Sequence, residues 1–275
     1  MDSPRDILKR HGIQAKHSWG QNFLSDPRVL SDLAEAALIE PDETVVEIGP
    51  GLGHLTRALL DEGGKVVAIE RDRDMVKALA EIKDERLTVV EANAAAVAFA
   101  KVAGAPDVTV VGNLPYHLTS SILFEILDQH TSVKRAVLTV QKEVADRLAA
   151  EPGGREYGLL SVLLDLYYVV EALQTLPARL FHPPPKVDSA VVRLTRRAQP
   201  RAQVNSDAQF RKLVKAGFAQ RRKTLLNSLK SDKTLATPEA LVTALEAAGI
   251  DPKRRAETLS SVEFAALERA LPKQA

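Results

Sequence analysis

Residues 44–53, Thr-Val-Val-Glu-Ile-Gly-Pro-Gly-Leu-Gly, constrain the fold of this chain more than any other stretch. The first five form a short apolar run rich in β-branched side chains, which reads as a buried strand. A glycine turn follows, and then an amphipathic helical spacing from His54 to Glu62. A strand, a glycine turn and a helix start open a parallel α/β unit, because parallel strands need a crossover connection. A second run, Lys65-Val66-Val67-Ala68-Ile69, ends on Glu70. That acid lies about 20 residues beyond the glycines, where a ribose diol is gripped in such units. Glycines let backbone approach a ligand without a Cβ in the way, and the helix start supplies unpaired N–H groups. Nicotinamide cofactors use the same architecture, but the third glycine of a G-x-G-x-x-G pattern counted from Gly49 falls on His54. No G-K-[ST] phosphate loop follows either. A glycine turn preceded by Glu47 suits a cofactor without phosphate, and S-adenosylmethionine is the common one.

The apolar run Val108 to Gly112 closes on Asn113-Leu114-Pro115-Tyr116. That set suits methylation of a planar amine. The lone pair of an exocyclic amine is delocalised into its ring, so the base must be held flat and its N–H groups drawn aside. Asn113 and the Leu114 carbonyl are acceptors for those groups, and Pro115 stiffens the turn that aims them. Tyr116 offers a stacking face worth roughly 1–3 kcal/mol per base, and a sulfonium beside it gains cation–π stabilisation. A plain strand ending in a turn accounts for the same residues, since Asn and Pro both punctuate chains.

Taken with Gln141-Lys142-Glu143-Val144 and the run Phe181-His182-Pro183-Pro184-Pro185-Lys186-Val187-Asp188-Ser189-Ala190-Val191, these motifs resemble the ribosomal RNA adenine dimethylase family in order and spacing. The resemblance runs from about Ser18 to the C-terminal helices, with the small-subunit group matching best. It implies a Rossmann-like α/β methyltransferase domain with a small C-terminal all-helical domain. It also implies transfer of four methyl groups from S-adenosylmethionine to the N6 atoms of two adjacent adenosines, in a hairpin loop near the 3′ end of 16S rRNA. Cofactor contacts carried over from the family fall on Asn22 and Leu24, on Gly49 with Gly51, and on Glu70 and Asn113. Asn93 stands where the family usually has an aspartate that accepts from the cofactor's adenine amine, with Glu91 a possible substitute. The catalytic set is Asn113, Leu114, Pro115 and Tyr116, with Phe181 as a second stacking face across a flipped adenine. An ordinary core aromatic would look the same as Phe181 in sequence. Trp19 reads as a lid or packing residue, and His182 as structural.

The domain break is expected at residues 198 and 199. Strand–helix alternation ends with Asp188 to Leu194, and only helical periodicities follow Asp207. Charge divides there too: residues 1–200 carry 23 basic and 28 acidic side chains, residues 201–275 carry 14 and 8. Arg221-Arg222-Lys223 is the expected grip on RNA phosphates, with Lys253-Arg254-Arg255 a second basic run, although such runs are often only solvated faces. The chain has no cysteine, which excludes thiolate zinc sites and disulfides, and no His or acidic cluster has metal-ligand spacing. The basic N-terminal stretch lacks an apolar signal region, and no run is long enough to span a membrane. The expectation is a cytoplasmic monomer that needs no metal and acts on the small ribosomal subunit. The alternatives are a catalytically weakened small-subunit assembly factor, a large-subunit rRNA methyltransferase and a DNA adenine methyltransferase.

Overall fold

The computed structural model describes residues 2–41 and 43–272. The strands are β1 (Phe23–Leu24), β2 (Thr44–Ile48), β3 (Lys65–Glu70), β4 (Leu87–Glu91), β5 (Val108–Asn113), β6 (Val133–Gln141), β7 (Tyr168–Leu176), β8 (Phe181–His182) and β9 (Ser189–Arg196). The helices of the strand-bearing part are α1 (Pro4–His11), α2 (Pro27–Ala36), α3 (His54–Asp61), α4 (Arg73–Leu79), α5 (Phe99–Ala103) and α6 (Thr119–Asp128). Then come α7 (Lys142–Leu148), α8 (Leu159–Tyr167), α9 (Asp207–Phe218), α10 (Leu225–Leu229), α11 (Pro238–Ala247) and α12 (Ser261–Ala270). Among the described residues one sheet carries seven strands in the order β4-β3-β2-β5-β6-β9-β7. β2 to β6 are mutually parallel, and β9 returns antiparallel to β6.

The two runs singled out in sequence become adjacent strands. Val46 pairs with Val67 on one side of β2 and with Val110 on the other. Strand order reverses direction between β2 and β5, and ligands of open α/β sheets bind at the carboxyl ends of strands at such a point. The glycine turn leaves β2 there, and Asn113 ends β5 beside it. Continuous apolar stretches such as Val45-Val46 and Val110-Val111 are fully buried, as strands covered on both faces must be.

By packing, the chain divides into two compact units, Met1–Ala145 with Glu171–Arg196, and Asp146–Val170 with Arg197–Ala275. The second unit thus takes in a stretch lying well before the charge break. The reason is α8, Leu-Leu-Ser-Val-Leu-Leu-Asp-Leu-Tyr, which is apolar nearly all round and packs on α9 and α12. Within that unit Phe218 stacks on Phe264 with ring centres 6.0 Å apart. The fully buried Glu268 accepts from the Asn205 and Ser206 N–H groups at 2.8 and 3.0 Å, just before α9. No described helix is long and apolar enough to cross a membrane.

Candidate active site

A cavity of about 340 Å³ opens where β2, β3 and β5 end, lined by the glycine turn, Glu70, Asn93 and Asn113 among others. Gly49, Gly51 and Gly53 all have positive φ, at 65°, 55° and 78°. A Cβ on Gly53 would lie 2.6 Å from the Ile82 methyl, and one on Gly51 3.0 Å from the Phe23 ring. The turn therefore excludes side chains by conformation and by space. Glu70 lies under it. Its Oε2 accepts from the Gly51 N–H at 3.2 Å, and its Oε1 from the N–H groups of Arg71 and Asp72 at 2.7 Å each. Burial pushes the Glu70 carboxyl above its ordinary range, and these three donors oppose that shift.

Glu47, 1% exposed, also lines the cavity. The Thr56 hydroxyl donates to it at 2.6 Å, and burial raises its pKa to about 8, the nearby Glu70 adding to the rise. The cavity floor thus holds one acid that resists ionising beside one steadied by backbone donors. A ribose diol placed here would meet in Glu70 an acceptor already held by three backbone donors, and the side-chain-free turn leaves the backbone open to close approach. These residues fit a nucleoside cofactor.

The tetrapeptide leaves β5 facing the same space. Asn113 Nδ2 donates to the Asn22 carbonyl at 2.9 Å, which turns its Oδ1 away from that partner. The Leu114 N–H donates to the Thr139 carbonyl at 3.2 Å, and the Leu114 carbonyl accepts no backbone bond among the described residues. Asn113, Leu114 and Pro115 line the cavity. Tyr116 stands outside its wall, half-buried, with its hydroxyl 2.8 Å from Ser189 Oγ, and burial raises its pKa.

Phe181 differs from its expected role. Leu24 and Phe181 pair across the small antiparallel sheet of β1 and β8. The Phe181 ring is 4% exposed and belongs to the buried cluster that includes Leu24, Leu176 and Val191. It offers no open face in this conformation. An aromatic preceding a proline turn has the same sequence signature whether it faces out or in, and here the β1 pairing pulls it inward.

The N-terminal segment is only partly legible in sequence. Ser18 to Leu24 all line the cavity. Trp19, 37% exposed, has the Lys16 ammonium and the Arg71 guanidinium each 5.2 Å from its ring centre. Gln21 Nε2 donates to Asp72 Oδ2 at 2.8 Å, a contact between residues 51 apart that no local pattern announces. His54 and His117 line the cavity too, and burial lowers the His54 pKa. Among the described residues no group of His, Asp or Glu is placed to hold a metal.

A family model for ribosomal RNA adenine dimethylase matches residues 12–271. The chain belongs to the ribosomal RNA adenine dimethylase family. A Myxococcus xanthus relative called ribosomal RNA small subunit methyltransferase A is 64% identical over 271 residues, covering 98% of this chain and 96% of that protein. Among solved structures, a dimethyladenosine transferase from Plasmodium falciparum aligns with a TM-score of 0.74 at 26% identity, over 89% of this chain and 95% of that one. The 23S rRNA methyltransferase ErmE aligns with a TM-score of 0.68 at 28% identity, over 91% and 99%. This dimethylase is therefore an enzyme that dimethylates adenine in ribosomal RNA, with S-adenosylmethionine as methyl donor.

Asn93, expected from sequence to meet the cofactor's adenine amine, lies at the cavity. The Asn93 side chain is exposed, and its Oδ1 accepts from the Ala95 N–H at 3.2 Å, capping a short turn. Glu91, the other residue weighed for that contact, is ion-paired with Arg73 at 2.7 Å at the end of β4. A neutral acceptor is worth about 0.5–1.5 kcal/mol against roughly 1.5–3 for a charged one. Asn93→Asp is accordingly expected to tighten S-adenosylmethionine binding about tenfold by calorimetry. An unchanged dissociation constant would rule out this position as a cofactor contact.

In the second unit the two basic runs part company. Arg254 is held by Glu263 at 2.5 Å, and Arg255 lies 3.8 Å from Glu257. Among the described residues the Arg221 side chain donates to the Arg155 carbonyl, at 2.7 Å, and has no acidic partner. Arg222 and Lys223 are exposed, and neither has an acidic partner among the described residues. The run 221–223 is thus the freer of the two to meet an outside anion.

Proposed function

We propose that the dimethylase modifies the small-subunit ribosomal RNA, converting two adjacent adenosines of the 3′-terminal hairpin loop of 16S rRNA to N6,N6-dimethyladenosine. The observation that carries the chemistry is the Asn113 amide. With its nitrogen bonded to the Asn22 carbonyl, its oxygen is the atom left to accept from an adenine amine. The Leu114 carbonyl takes the second N–H, and Tyr116, steadied through Ser189, stacks on the ring. Bound S-adenosylmethionine supplies the electrophilic methyl on a sulfonium. Holding the amine in line is the protein's main contribution, and no strong base is needed because the proton leaves after the methyl arrives. The small-subunit assignment rests on the 64% identical relative's name. The enzyme is read as a cytoplasmic monomer.

Arg221, Arg222 and Lys223 are proposed to grip RNA phosphates. Each phosphate neutralised on duplex nucleic acid contributes roughly 0.9 to the slope of log affinity against log salt, somewhat less on single strands. Arg221→Ala with Arg222→Ala is expected to flatten that slope by between one and two in filter binding to small subunits. An unchanged slope would remove these residues from the interface.

The deciding experiment is methyl transfer from labelled S-adenosylmethionine to unmethylated small subunits, large subunits and duplex DNA, with nucleosides read by mass spectrometry. Dimethyladenosine at adjacent positions of small subunits alone is expected. Incorporation into the other substrates overturns the small-subunit reading. Binding to small subunits without incorporation favours an assembly factor weakened at Asn93.

A further inference from the structure

Residues 16–22 cross from the end of β3 to the end of β5 and bond to both. At the first end, Lys16 Nζ contacts Asp72 Oδ1 at 2.6 Å and Asp74 Oδ2 at 2.8 Å. Gln21 uses both ends of its amide there: Nε2 donates to Asp72 Oδ2 at 2.8 Å, and Oε1 accepts from the Lys16 N–H at 2.8 Å. Asp72 is 2% exposed, and its own N–H donates to Glu70 Oε1. At the second end, the Asn22 carbonyl accepts from Asn113 Nδ2 at 2.9 Å. Gly20, at φ +66°, lies against this loop, where a Cβ would sit 3.3 Å from the His117 ring and 3.5 Å from Pro115 Cβ. Between the ends, Trp19 rests between the cations of Lys16 and Arg71.

A carboxamide has two faces of opposite hydrogen-bonding sense, exchanged by a half-turn of its terminal torsion. With Nδ2 on the Asn22 carbonyl, Asn113 presents an acceptor. After the half-turn it would present two N–H donors to an amine that itself offers N–H groups, and the Asn22 carbonyl would face another oxygen. Among the described residues the Asn22 carbonyl is the hydrogen-bond partner of the Asn113 side chain, and its position distinguishes these states. That position is tied through Gln21 and Lys16 to Asp72, two residues beyond the acid that faces the glycine turn.

We propose that Lys16 and Gln21 are positioning residues for methyl transfer, acting through the Asn22 carbonyl to fix which face Asn113 presents to the target amine. The bridge thereby joins the carboxylate side of the cavity to the amide side. This rests on the role assigned to Asn113 under the proposed function. Lys16 itself does not line the cavity, so it acts on transfer only through the residues it bonds, and the Asn113 resonance separates a route through the segment from one through Asp72 and Glu70.

The test is Lys16→Met and, separately, Gln21→Ala, with Lys16→Arg as the conservative partner and Arg10→Met as control. Arg10 pairs with Glu81 and Asp2 on the same N-terminal stretch, outside the bridge. Lys16→Met and Gln21→Ala are expected to lower kcat for small subunits on the order of tenfold, the effect of one hydrogen bond lost, with KM for the subunit nearly unchanged. Lys16→Arg restores kcat, and Arg10→Met leaves it alone. A second readout needs no turnover: the nitrogen-15 resonance of the Asn113 side-chain amide, assigned by its loss in Asn113→Ala. It is expected to move toward the position of a free amide in Lys16→Met and Gln21→Ala, and to hold in the other two. An Asn113 resonance and kcat both unmoved in Lys16→Met and Gln21→Ala overturn the proposal. So does a loss confined to KM. If wild-type protein fails to methylate small subunits, the substrate reading falls, while the resonance still decides whether the bridge sets the amide.

Discussion

Asn113→Ala is expected to cut methyl transfer by roughly 10²–10³-fold, the usual cost of removing one preorganised polar group from a reacting centre. Cofactor binding should stay close to wild type. The alanine removes the oxygen that holds the amine and also leaves the Asn22 carbonyl without its donor. Loss should fall on kcat and kcat/KM alike, because the bond to the amine matters most as its lone pair turns toward the methyl. Single-turnover methylation measured beside calorimetric titration with S-adenosylmethionine separates the two effects. Turnover within about threefold of wild type, far short of the expected 10²–10³, would take Asn113 out of the mechanism. Asn113→Asp is a harsher probe than its size suggests, since it sets an anionic oxygen against the Asn22 carbonyl in either orientation.

Glu70→Ala should be the most damaging change to cofactor binding, with the dissociation constant rising on the order of a hundredfold if a charge-assisted diol contact worth roughly 1.5–3 kcal/mol goes together with the shape of the turn. The carboxylate collects the N–H groups of Gly51, Arg71 and Asp72, so its loss orphans three backbone donors at once. Each orphan that stays dry costs about 1–3 kcal/mol, and the melting temperature should fall even without cofactor. Glu70→Gln keeps one acceptor oxygen and should fall between. Cofactor affinity equal to wild type in Glu70→Ala would dismiss the ribose reading, whatever happens to stability.

Local pattern carried the strands and the glycine turn into view. Thr44–Ile48 and the run from Lys65 to Glu70 appear as β2 and β3, because strands buried on both faces read as unbroken apolar runs. The tetrapeptide was legible for the same reason: Asn113 and Pro115 punctuate the end of such a run. What stayed hidden depends on residues far apart. Gln21 with Asp72 and Tyr116 with Ser189 are partners at separations of 51 and 73 residues, and no period or spacing encodes them. Phe181 shows the other limit. Its neighbours in sequence suit a stacking face and a core aromatic alike, and only packing with the cluster around Leu24 shows the ring buried. α8 was assigned by order in the chain to the sheet-bearing part, whereas its apolar circumference commits it to helical neighbours.

The antiparallel placement of β9 beside β6 has a consequence for when the enzyme comes alive. A protein emerges from the ribosome N-terminus first, and domains form as their parts become available. β2, β3 and β5 emerge early, but Ser189, the anchor of the Tyr116 hydroxyl, opens β9 and follows the tetrapeptide by more than seventy residues. β9 lies between β6 and β7 inside the sheet, so a chain that stops before it lacks both an interior strand and the Ser189 hydroxyl that meets Tyr116. Vectorial synthesis thus acts as a built-in delay: the hydroxyl partner of Tyr116 arrives only when translation of the sheet has finished, after every strand of the cavity has been made.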